Sequence, residues 1–358
     1  MSTQPHPTRR AALAAGIGTL ALAATGCSER GGFFALSGRG GVTLRGFAMG
    51  TAYTVKIATP RPGDALLARA EQAVSSTLAS VVAGMSHYET GSELSRLNRQ
   101  PVGEPLQVSA PTLRVFAAAQ AVQRASGGAF DVALGRAVDE WGFGPSGKPR
   151  QVLSAAALRE LQLEQRAGAL VVDTVAGTIT RRSAVQANLS GIAKGYGVDQ
   201  AALALDALGI GDYMVEVGGE IRTRGRNTEG QPWQLAVERP DATPQQAYFV
   251  LPLSGQSLAT SGDYRNFFMH DGRRYSHEID PTTATPVQHA LASVSVVAAD
   301  CTLADAWSTA LFVAGPERGL ALARQHGLAA YFVLRQADGS LVPKQTDALA
   351  ALGGRTVA

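Results

Sequence analysis

The sequence predicts an α+β fold, a single domain in which helices flank a largely antiparallel sheet. Segments with alternating apolar residues come in pairs around short turns, as in ALVVDTVAGTITRR and NFFMHDGRRYSHEID, which has Asp271-Gly272 at its turn. Segments with helical periodicity are separate from these pairs, an arrangement typical of α+β proteins. An apolar content of 45% over 358 residues is enough for a sizeable core.

The predicted elements follow in order along the chain. LRGFAMGTAYTVKI is strand-like and is interrupted at Met49-Gly50-Thr51. Apolar periodicity predicts helices over residues 64–83, ended by Gly84, and over 109–125 and 154–166, the second with Ser109 as its cap. Further strands are predicted in YMVEVGGEIRTRG, PWQLAVERP and ALASVSVVAA, and a last helix over 302–314.

Residues 1–27 have the features of an export signal: Arg9-Arg10, an apolar stretch over 11–24 and small residues up to Cys27. The arginine pair resembles a twin-arginine signal and Ala24–Cys27 resembles a lipoprotein box. Lipidation at Cys27, giving a lipid anchor, and ordinary cleavage nearby both stay open. Residues 28–43 are predicted to be a flexible tether and 44–355 the folded domain, in a periplasmic protein.

Composition and motifs exclude several function classes. A formal charge of +3, without a run of basic residues after the signal, argues against nucleic acid as the main partner. The chain has no G-x-x-x-x-G-K-[ST], G-x-S-x-G or H-E-x-x-H motif, which argues against common NTPases, serine esterases and zinc proteases. Beyond Cys27 the chain keeps one thiol, Cys301, and therefore no internal disulfide.

Two segments could bind a phosphate and a cation. In NLSGIAKGYGVDQ, small residues and Lys194 precede or open a helix, which suits a phosphate group or, equally, a tight strand-to-helix packing site. In DCTLADAWSTALFVAG, Asp305 and Thr309 lie one helical turn apart, as two ligands of a hard cation would. The alternative there is a capping pair of Thr302 with Asp305.

Two further segments have a structural and a functional interpretation. In RYSHEID, strand alternation places His277 with Tyr275 and Ile279 on one face, and Glu278 with Asp280 on the other. His277 is then a structural or a catalytic histidine. GGAFDVALGRAVDEWGFGP sets aromatic residues among glycines, which suits either a flat ring or core packing.

The order of these segments resembles the ApbE family, exported FAD:protein FMN transferases, over roughly residues 44–340. The segments that carry the resemblance are MGTAYTVKI, MSHYETGSELSRLNR, GGAFDVALGRAVDEWGFGP, NLSGIAKGYGVDQ, VEVGGEIRTRG, LATSGDYRNFF, RYSHEIDPTTATPV and ADCTLADAWSTALFVAG.

The resemblance implies metal-assisted cleavage of FAD, loss of AMP, and attachment of FMN to a Thr or Ser of a redox protein with a flavinylation motif. It implies a cleft for FAD between subregions of the domain. It assigns Mg²⁺ to the Gly191 carbonyl, Asp305 and Thr309. It makes His277 the candidate that activates or orients the acceptor hydroxyl, or that steadies the transferring phosphoryl group. The implied FAD contacts are Met49, Tyr88, Ala129, Phe130, Asp131, Asn188, Lys194 and Ile279.

Two residues depart from the family pattern, and two alternative functions stay open. Asn188 stands where many members have Asp, and Ala284 replaces a usual Gly, so that its turn either avoids positive φ or is slightly strained. The alternatives to the transferase are a metal-dependent FAD pyrophosphatase, and an exported lipoprotein that only binds FAD.

Overall fold

The computed structural model describes residues 33–35, 41–59, 63–165, 168–240 and 242–357. The predicted export signal, residues 1–27 with Cys27, lies outside the described residues. The structure corrects the predicted tether, because Phe33–Ala35 form a strand and another strand begins at Val42. Phe33–Ala35 pair with the strand Trp233–Glu238 and form one edge of its sheet.

The strands of the described residues are, in chain order, β1 (Phe33–Ala35), β2 (Val42–Ala48), β3 (Thr51–Ile57), β4 (Pro105–Gln107), β5 (Leu170–Asp173), β6 (Thr178–Arg181), β7 (Tyr213–Val217), β8 (Glu220–Arg224), β9 (Trp233–Glu238), β10 (Ala247–Leu253), β11 (Ser257–Gly262), β12 (Phe267–His270), β13 (Arg273–Ser276), β14 (Ile279–Asp280), β15 (Thr285–Pro286), β16 (Leu291–Ala298), β17 (Ala329–Arg335), β18 (Leu341–Gln345) and β19 (Arg355–Thr356).

The helices are α1 (Asp64–Met85), α2 (Glu93–Arg99), α3 (Ala110–Ala125), α4 (Gly135–Glu140), α5 (Ala155–Glu164), α6 (Ala193–Ala207), α7 (Cys301–Ala314), α8 (Pro316–Gln325) and α9 (Asp347–Ala350). Within the described part of the chain, none of them is long and apolar enough to cross a membrane.

The central sheet has eight strands in the order β18-β17-β16-β11-β8-β7-β3-β2. Every neighbouring pair in it is antiparallel, which confirms the predicted fold class. A second sheet has the order β1-β9-β10-β19, and three small sheets complete the fold: β4-β6-β5, β12-β13 and β14-β15. The predicted hairpin with Asp271-Gly272 at its turn is β12-β13.

Helix limits follow local capping and packing. Ser109 and Ser154 cap α3 and α5 by accepting the N–H groups of residues three positions later, as the sequence predicts for α3. Gly84 lies inside α1 instead of ending it. A Cβ at Gly84 would stand 2.8 Å from the hydroxyl of Thr112, so the glycine lets α1 approach α3.

The core places α6 and α7 against the sheet. Apolar residues of α1, α6, β3 and β7 form one buried cluster, and those of α3, α7, β16 and β17 form another. The beginnings of α6 and α7 therefore meet beside the start of β8 and the end of β11. This junction holds the candidate site.

Candidate functional site

The first turns of α6 and α7 touch through a glycine. The backbone N–H of Gly195 donates to Oδ2 of Asp305 over 2.9 Å. A Cβ at Gly195 would overlap the carbonyl oxygen of Cys301 and stand 2.8 Å from Cβ of Asp305. The two helices can approach each other this closely because residue 195 has no side chain. Gly195 therefore serves tight packing between two helices, whereas the structural interpretation of this segment was packing between a strand and a helix.

The same junction brings Gly191 to Thr309. A Cβ at Gly191 would lie 3.0 Å from Oγ1 of Thr309 and 3.2 Å from the ring of Phe130. The Thr309 hydroxyl is also 3.0 Å from Oγ of Ser261, at the end of β11. Gly191 thus lies beside the helix that carries Asp305 and Thr309, although it is far from both in sequence.

Asp305 is not a capping residue. The cap of α7 is Asp300, whose Oδ1 accepts the N–H of Leu303 over 2.8 Å. From α6, Asp199 accepts the N–H groups of Cys301 and Thr302 over 2.9 Å each. The suggested capping pair of Thr302 with Asp305 is therefore wrong, because α7 starts one residue earlier than predicted and the free N–H groups at its beginning are bound by Asp300 and Asp199.

The junction holds two buried acidic groups, Glu220 and Asp305, and one ammonium, that of Lys194. Lys194 extends from α6 to Glu220 at the start of β8, with Nζ 2.8 Å from Oε1. Glu220 is 2% exposed, and its Oε2 has no hydrogen-bond partner. Burial raises the pKa of Glu220, the Lys194 ammonium lowers it and the Asp305 carboxylate raises it. Burial likewise raises the pKa of Asp305 against the opposing effect of Lys194.

This donor set fits a hard cation. Asp305 supplies a buried carboxylate, Thr309 a hydroxyl and Gly191 a backbone oxygen, the oxygen ligands that Mg²⁺ prefers. Two buried acidic groups, Asp305 and Glu220, share one ammonium and have raised pKa values, so that an added cation would favour their ionised forms. The described residues contain no group of three or more His, Cys, Asp or Glu that could hold a metal. A cation bound here would therefore need the neutral oxygens of Thr309 and Gly191 as ligands in addition to the Asp305 carboxylate.

The predicted FAD contacts fall into buried and exposed positions. Met49 occupies the β2–β3 turn with φ 54°, and a Cβ at Gly197 of α6 would stand 2.8 Å from its sulfur. Ala129 and Phe130 are buried in the core, so core packing explains part of the aromatic segment. Tyr88, between α1 and α2, is 64% exposed, with its ring 4.3 Å from that of His87. Their assignment to FAD stays a prediction.

Asp131 and Asn188 stabilise adjacent loops. Oδ1 of Asp131 accepts the N–H of Ala133, and burial raises the pKa of Asp131. Asn188 donates its N–H to the carbonyl of Val132 over 2.7 Å, and its Oδ1 accepts the N–H of Ser190. The amide at position 188 thus shapes the turn that leads to Gly191, a role that needs an acceptor oxygen and no charge.

The strand that carries His277 is interrupted. β13 ends at Ser276 and β14 starts at Ile279, so alternation fails across His277 and Glu278. Glu278 was expected on the opposite face, but it is buried and its Oε1 lies 3.8 Å from Nε2 of His277. Nδ1 of His277 is 3.2 Å from the carbonyl oxygen of Asn266. Ile279 is buried in an aromatic cluster that includes Trp141 and Phe143.

Ala284 adopts positive φ. Its φ is 55° and its carbonyl accepts the indole N–H of Trp141 over 2.8 Å. Of the two expectations for this turn, the slightly strained conformation is the one that the structure has. The buried hydrogen bond from Trp141 explains why the backbone keeps that conformation without a glycine.

Comparison with known proteins shows the family to which the chain belongs. The model of the ApbE family matches residues 49–332. The chain belongs to the ApbE family. An ApbE relative from Haemophilus influenzae, named FAD:protein FMN transferase, is 40% identical over 316 residues, which are 87% of this chain and 91% of that protein. A relative of the same name from Vibrio cholerae is 38% identical over 83% of this chain and 89% of that protein.

Solved ApbE structures share the fold. The flavin transferase ApbE from Vibrio cholerae has a TM-score of 0.79 at 35% identity, over 87% of this chain and 98% of that one. The apo form of flavinyl transferase ApbE from Pseudomonas stutzeri has a TM-score of 0.77 at 36% identity, over 87% and 96%.

Sequence reasoning missed three residues of the junction: Glu220, Ser261 and Asp199. Glu220 had a signal, an acid directly after Gly218-Gly219 at the start of an otherwise buried strand. Asp199 and Ser261 had none, because each is an ordinary polar residue until the other helix packs against it.

Proposed function

We propose that this protein is a Mg²⁺-dependent FAD:protein FMN transferase that acts on an exported or membrane redox protein. Membership of the ApbE family and the names of its relatives support the activity. The observation that carries the proposal is the α6–α7 junction, where Asp305 and Thr309 lie against Gly195 and Gly191, beside the buried pair of Lys194 and Glu220.

The residues of the junction would bind the phosphates of FAD. Gly191, Asp305 and Thr309 would hold Mg²⁺, which when bound neutralises charge on the pyrophosphate. The Lys194 ammonium would contact a phosphate oxygen, and its ion pair with Glu220 fixes where that ammonium lies. Asp305 keeps its place through the Gly195 N–H, so the ligand is positioned before any cation arrives.

His277 would handle the proton of the acceptor. A hydrogen bond from Nδ1–H to the Asn266 carbonyl would leave the lone pair on Nε2 of this half-exposed side chain, where it can accept the proton. The acceptor hydroxyl oxygen forms a bond to the phosphorus of the FMN half while the bond from that phosphorus to the AMP oxygen breaks. The hydroxyl proton goes to His277, and AMP leaves.

We also propose that the protein acts after export. Residues 1–27 would direct it to the periplasm, and would then be either cleaved or retained through a lipid at Cys27. The sequence features of that segment support this proposal.

The test is covalent labelling of an acceptor domain that carries a flavinylation motif. Purified protein, FAD and Mg²⁺ should give an acceptor that is fluorescent in a denaturing gel and heavier by one FMN. AMP release measured with and without the acceptor separates transfer from FAD hydrolysis. If a competent acceptor stays unlabelled while AMP is still released, the pyrophosphatase explanation holds instead.

A matched pair of variants tests the junction. Asp305→Asn keeps an acceptor for the Gly195 N–H but removes the charge, and it should lower labelling at least about a hundredfold. Asp300→Asn makes the same change five residues earlier on α7, where Asn is an equally good cap, and should leave labelling unchanged. Tight FAD binding without AMP formation, indifferent to Asp305→Asn, would indicate a protein that only binds FAD.

A further inference from the structure

A basic cavity lies beside the candidate site. Its volume is about 480 Å³, within the range of small-ligand sites. It is lined from the end of β11, from β13, from the segment before β16 and from the end of β17. The residues that matter for its charge are Asp263, Arg273, Arg274, His289 and Arg335.

One carboxylate among these lining residues is already bound. Arg335 forms a bidentate ion pair with Asp263. Its Nη1 lies 3.0 Å from Oδ2 and its Nη2 lies 3.1 Å from Oδ1. Arg274 reaches the same carboxylate at 3.4 Å, and its guanidinium lies 4.4 Å from the ring centre of Phe267. Asp263 is therefore shared by two cations, and the bidentate pair with Arg335 is the stronger one.

The remaining charge is positive. Arg273 is exposed, and no carboxylate in the described part of the chain forms an ion pair with it. His289 adds no negative charge: Nε2 lies 2.8 Å from the carbonyl of Phe312, Nδ1 accepts the N–H of Leu291, and burial lowers its pKa. Three arginines thus face one aspartate, and the cavity is complementary to an anion.

The cavity adjoins the transfer site along two strands. Asp263 follows Ser261, the partner of Thr309, by two residues, a span of about 7 Å. Arg274 precedes His277 by three residues, about 10 Å along the backbone. None of the residues that line the cavity is among the predicted FAD contacts or the predicted metal ligands. A protein segment that offers its hydroxyl to His277 could therefore reach into the cavity.

We propose that this cavity docks an acidic segment of the acceptor protein, whose carboxylates pair with Arg273 and Arg274. The inference rests on the proposed transferase function. Because the FAD phosphates would occupy the Asp305–Lys194 junction, the basic cavity is left for the other substrate. Guanidinium groups bind carboxylates through paired N–H donors, so Asp or Glu side chains near the acceptor hydroxyl are the matching ligand.

The experiment uses the whole chain and two fluorescent synthetic peptides. The peptides share one acceptor Thr and differ at four flanking positions, all Asp in one and all Asn in the other. Binding is followed by fluorescence anisotropy without FAD, at low and at raised ionic strength. The Asp peptide should bind about tenfold more tightly, and salt should reduce the difference.

Charge reversal at the cavity gives the decisive comparison. Arg273→Glu should abolish the preference for the Asp peptide and raise the KM for it about tenfold in labelling, with the KM for FAD unchanged. Arg69→Glu, an equal change at an exposed arginine of α1, should leave both values unchanged. Arg273→Gln only removes one charge. Its preference for the Asp peptide and its KM should therefore lie between those of the parent and of Arg273→Glu.

Three outcomes overturn the inference: equal binding of the two peptides, a preference that survives Arg273→Glu, and a loss of FAD affinity in that variant, which would assign the cavity to the nucleotide. If the chain distinguishes the peptides but labels neither, the docking site stands and the proposed function fails. If it labels both equally well, the function stands and the docking site fails.

Discussion

The α6–α7 junction, proposed to hold the cation and phosphates, and the β12–β13 hairpin, proposed to present His277 to the acceptor, are built differently. At the junction, backbone groups touch directly and the carboxylates are buried, with Asp305 only 3% exposed. At the hairpin, aromatic rings give the support: Phe268 and Tyr275 stack at 5.2 Å, and Tyr275 lies 5.7 Å from Trp141. His277 remains half-exposed above this cluster.

The difference matches the sizes of the two proposed substrates. A cation and a phosphate are small and need charges fixed at short range, which close backbone packing provides. An acceptor hydroxyl arrives on a folded protein, so its base must be accessible from solvent. Ring stacking can hold a half-exposed histidine without enclosing it. Changes at the junction should therefore affect stability and binding together, whereas changes at the hairpin should affect transfer alone.

The largest effect is expected at Gly195. Gly195→Ala puts a methyl group into the carbonyl of Cys301, so α6 and α7 must separate, at a cost of about 3 kcal/mol in unfolding free energy. Labelling should be lost as well, because Asp305 loses its N–H partner. Gly211→Ala, where a Cβ meets nothing within 4 Å, is the control in thermal unfolding. Equal stability of the two variants would show that α6 and α7 leave room for a methyl group at residue 195.

His277→Ala should affect transfer without affecting FAD binding or stability. Without the imidazole, transfer should fall by about 10² to 10⁴, while FAD affinity and thermal stability stay near the parent values. Single-turnover labelling and FAD titration measure the two quantities. His270→Ala removes an exposed histidine of the same hairpin and should change neither. A parallel loss of FAD binding in His277→Ala would mean that His277 holds the cofactor and does not serve as the base.

Glu220→Gln should change how stability depends on pH. Burial raises the pKa of Glu220, so the folded protein holds this proton more tightly than the unfolded chain does. The resulting stability is complete below the ordinary glutamate pKa of 4.5 and is lost as pH rises through the raised value. The glutamine cannot titrate, and the metal-free variant should therefore lose less stability than the parent from acid to alkaline pH.

Thermal unfolding over a pH series, in the presence of a chelator, measures this slope. Glu229→Gln, on an exposed turn, should keep the parent slope. If Glu220→Gln also keeps it, Glu220 is not the buried acid that sets the pH dependence.

The smallest effect is expected at Ala284. Ala284→Gly relieves positive φ, a gain of about 1 to 2 kcal/mol, but the unfolded chain gains entropy that offsets up to about 1 kcal/mol. A net stabilisation of about 0.5 kcal/mol should appear in chemical denaturation, without a change in labelling. Ala176→Gly, in an exposed turn without positive φ, carries only the entropic cost and should be destabilising. Destabilisation of both variants would show that Ala284 is not strained.

Much of the fold and part of the site could be predicted because they depend on local sequence. Asp271-Gly272 sets the β12–β13 turn, and Ser109 caps α3, since turn and cap preferences act within a few residues. The spacing of Asp305 and Thr309 placed both on one side of a helix. The alternation expected through His277 and Glu278 failed, because the chain bends there between two short strands.

The sequence by itself determined the antiparallel α+β architecture, the helix caps and, through the order of its segments, the ApbE family. Only the tertiary structure decided that Gly195 meets Asp305, that Gly191 meets Thr309, and that Glu220 pairs with Lys194 in a buried position. It also collected Arg273, Arg274 and Arg335 around one aspartate. These groups are distant in sequence, and their distances and charges depend on how helices pack on the sheet, which no local propensity encodes.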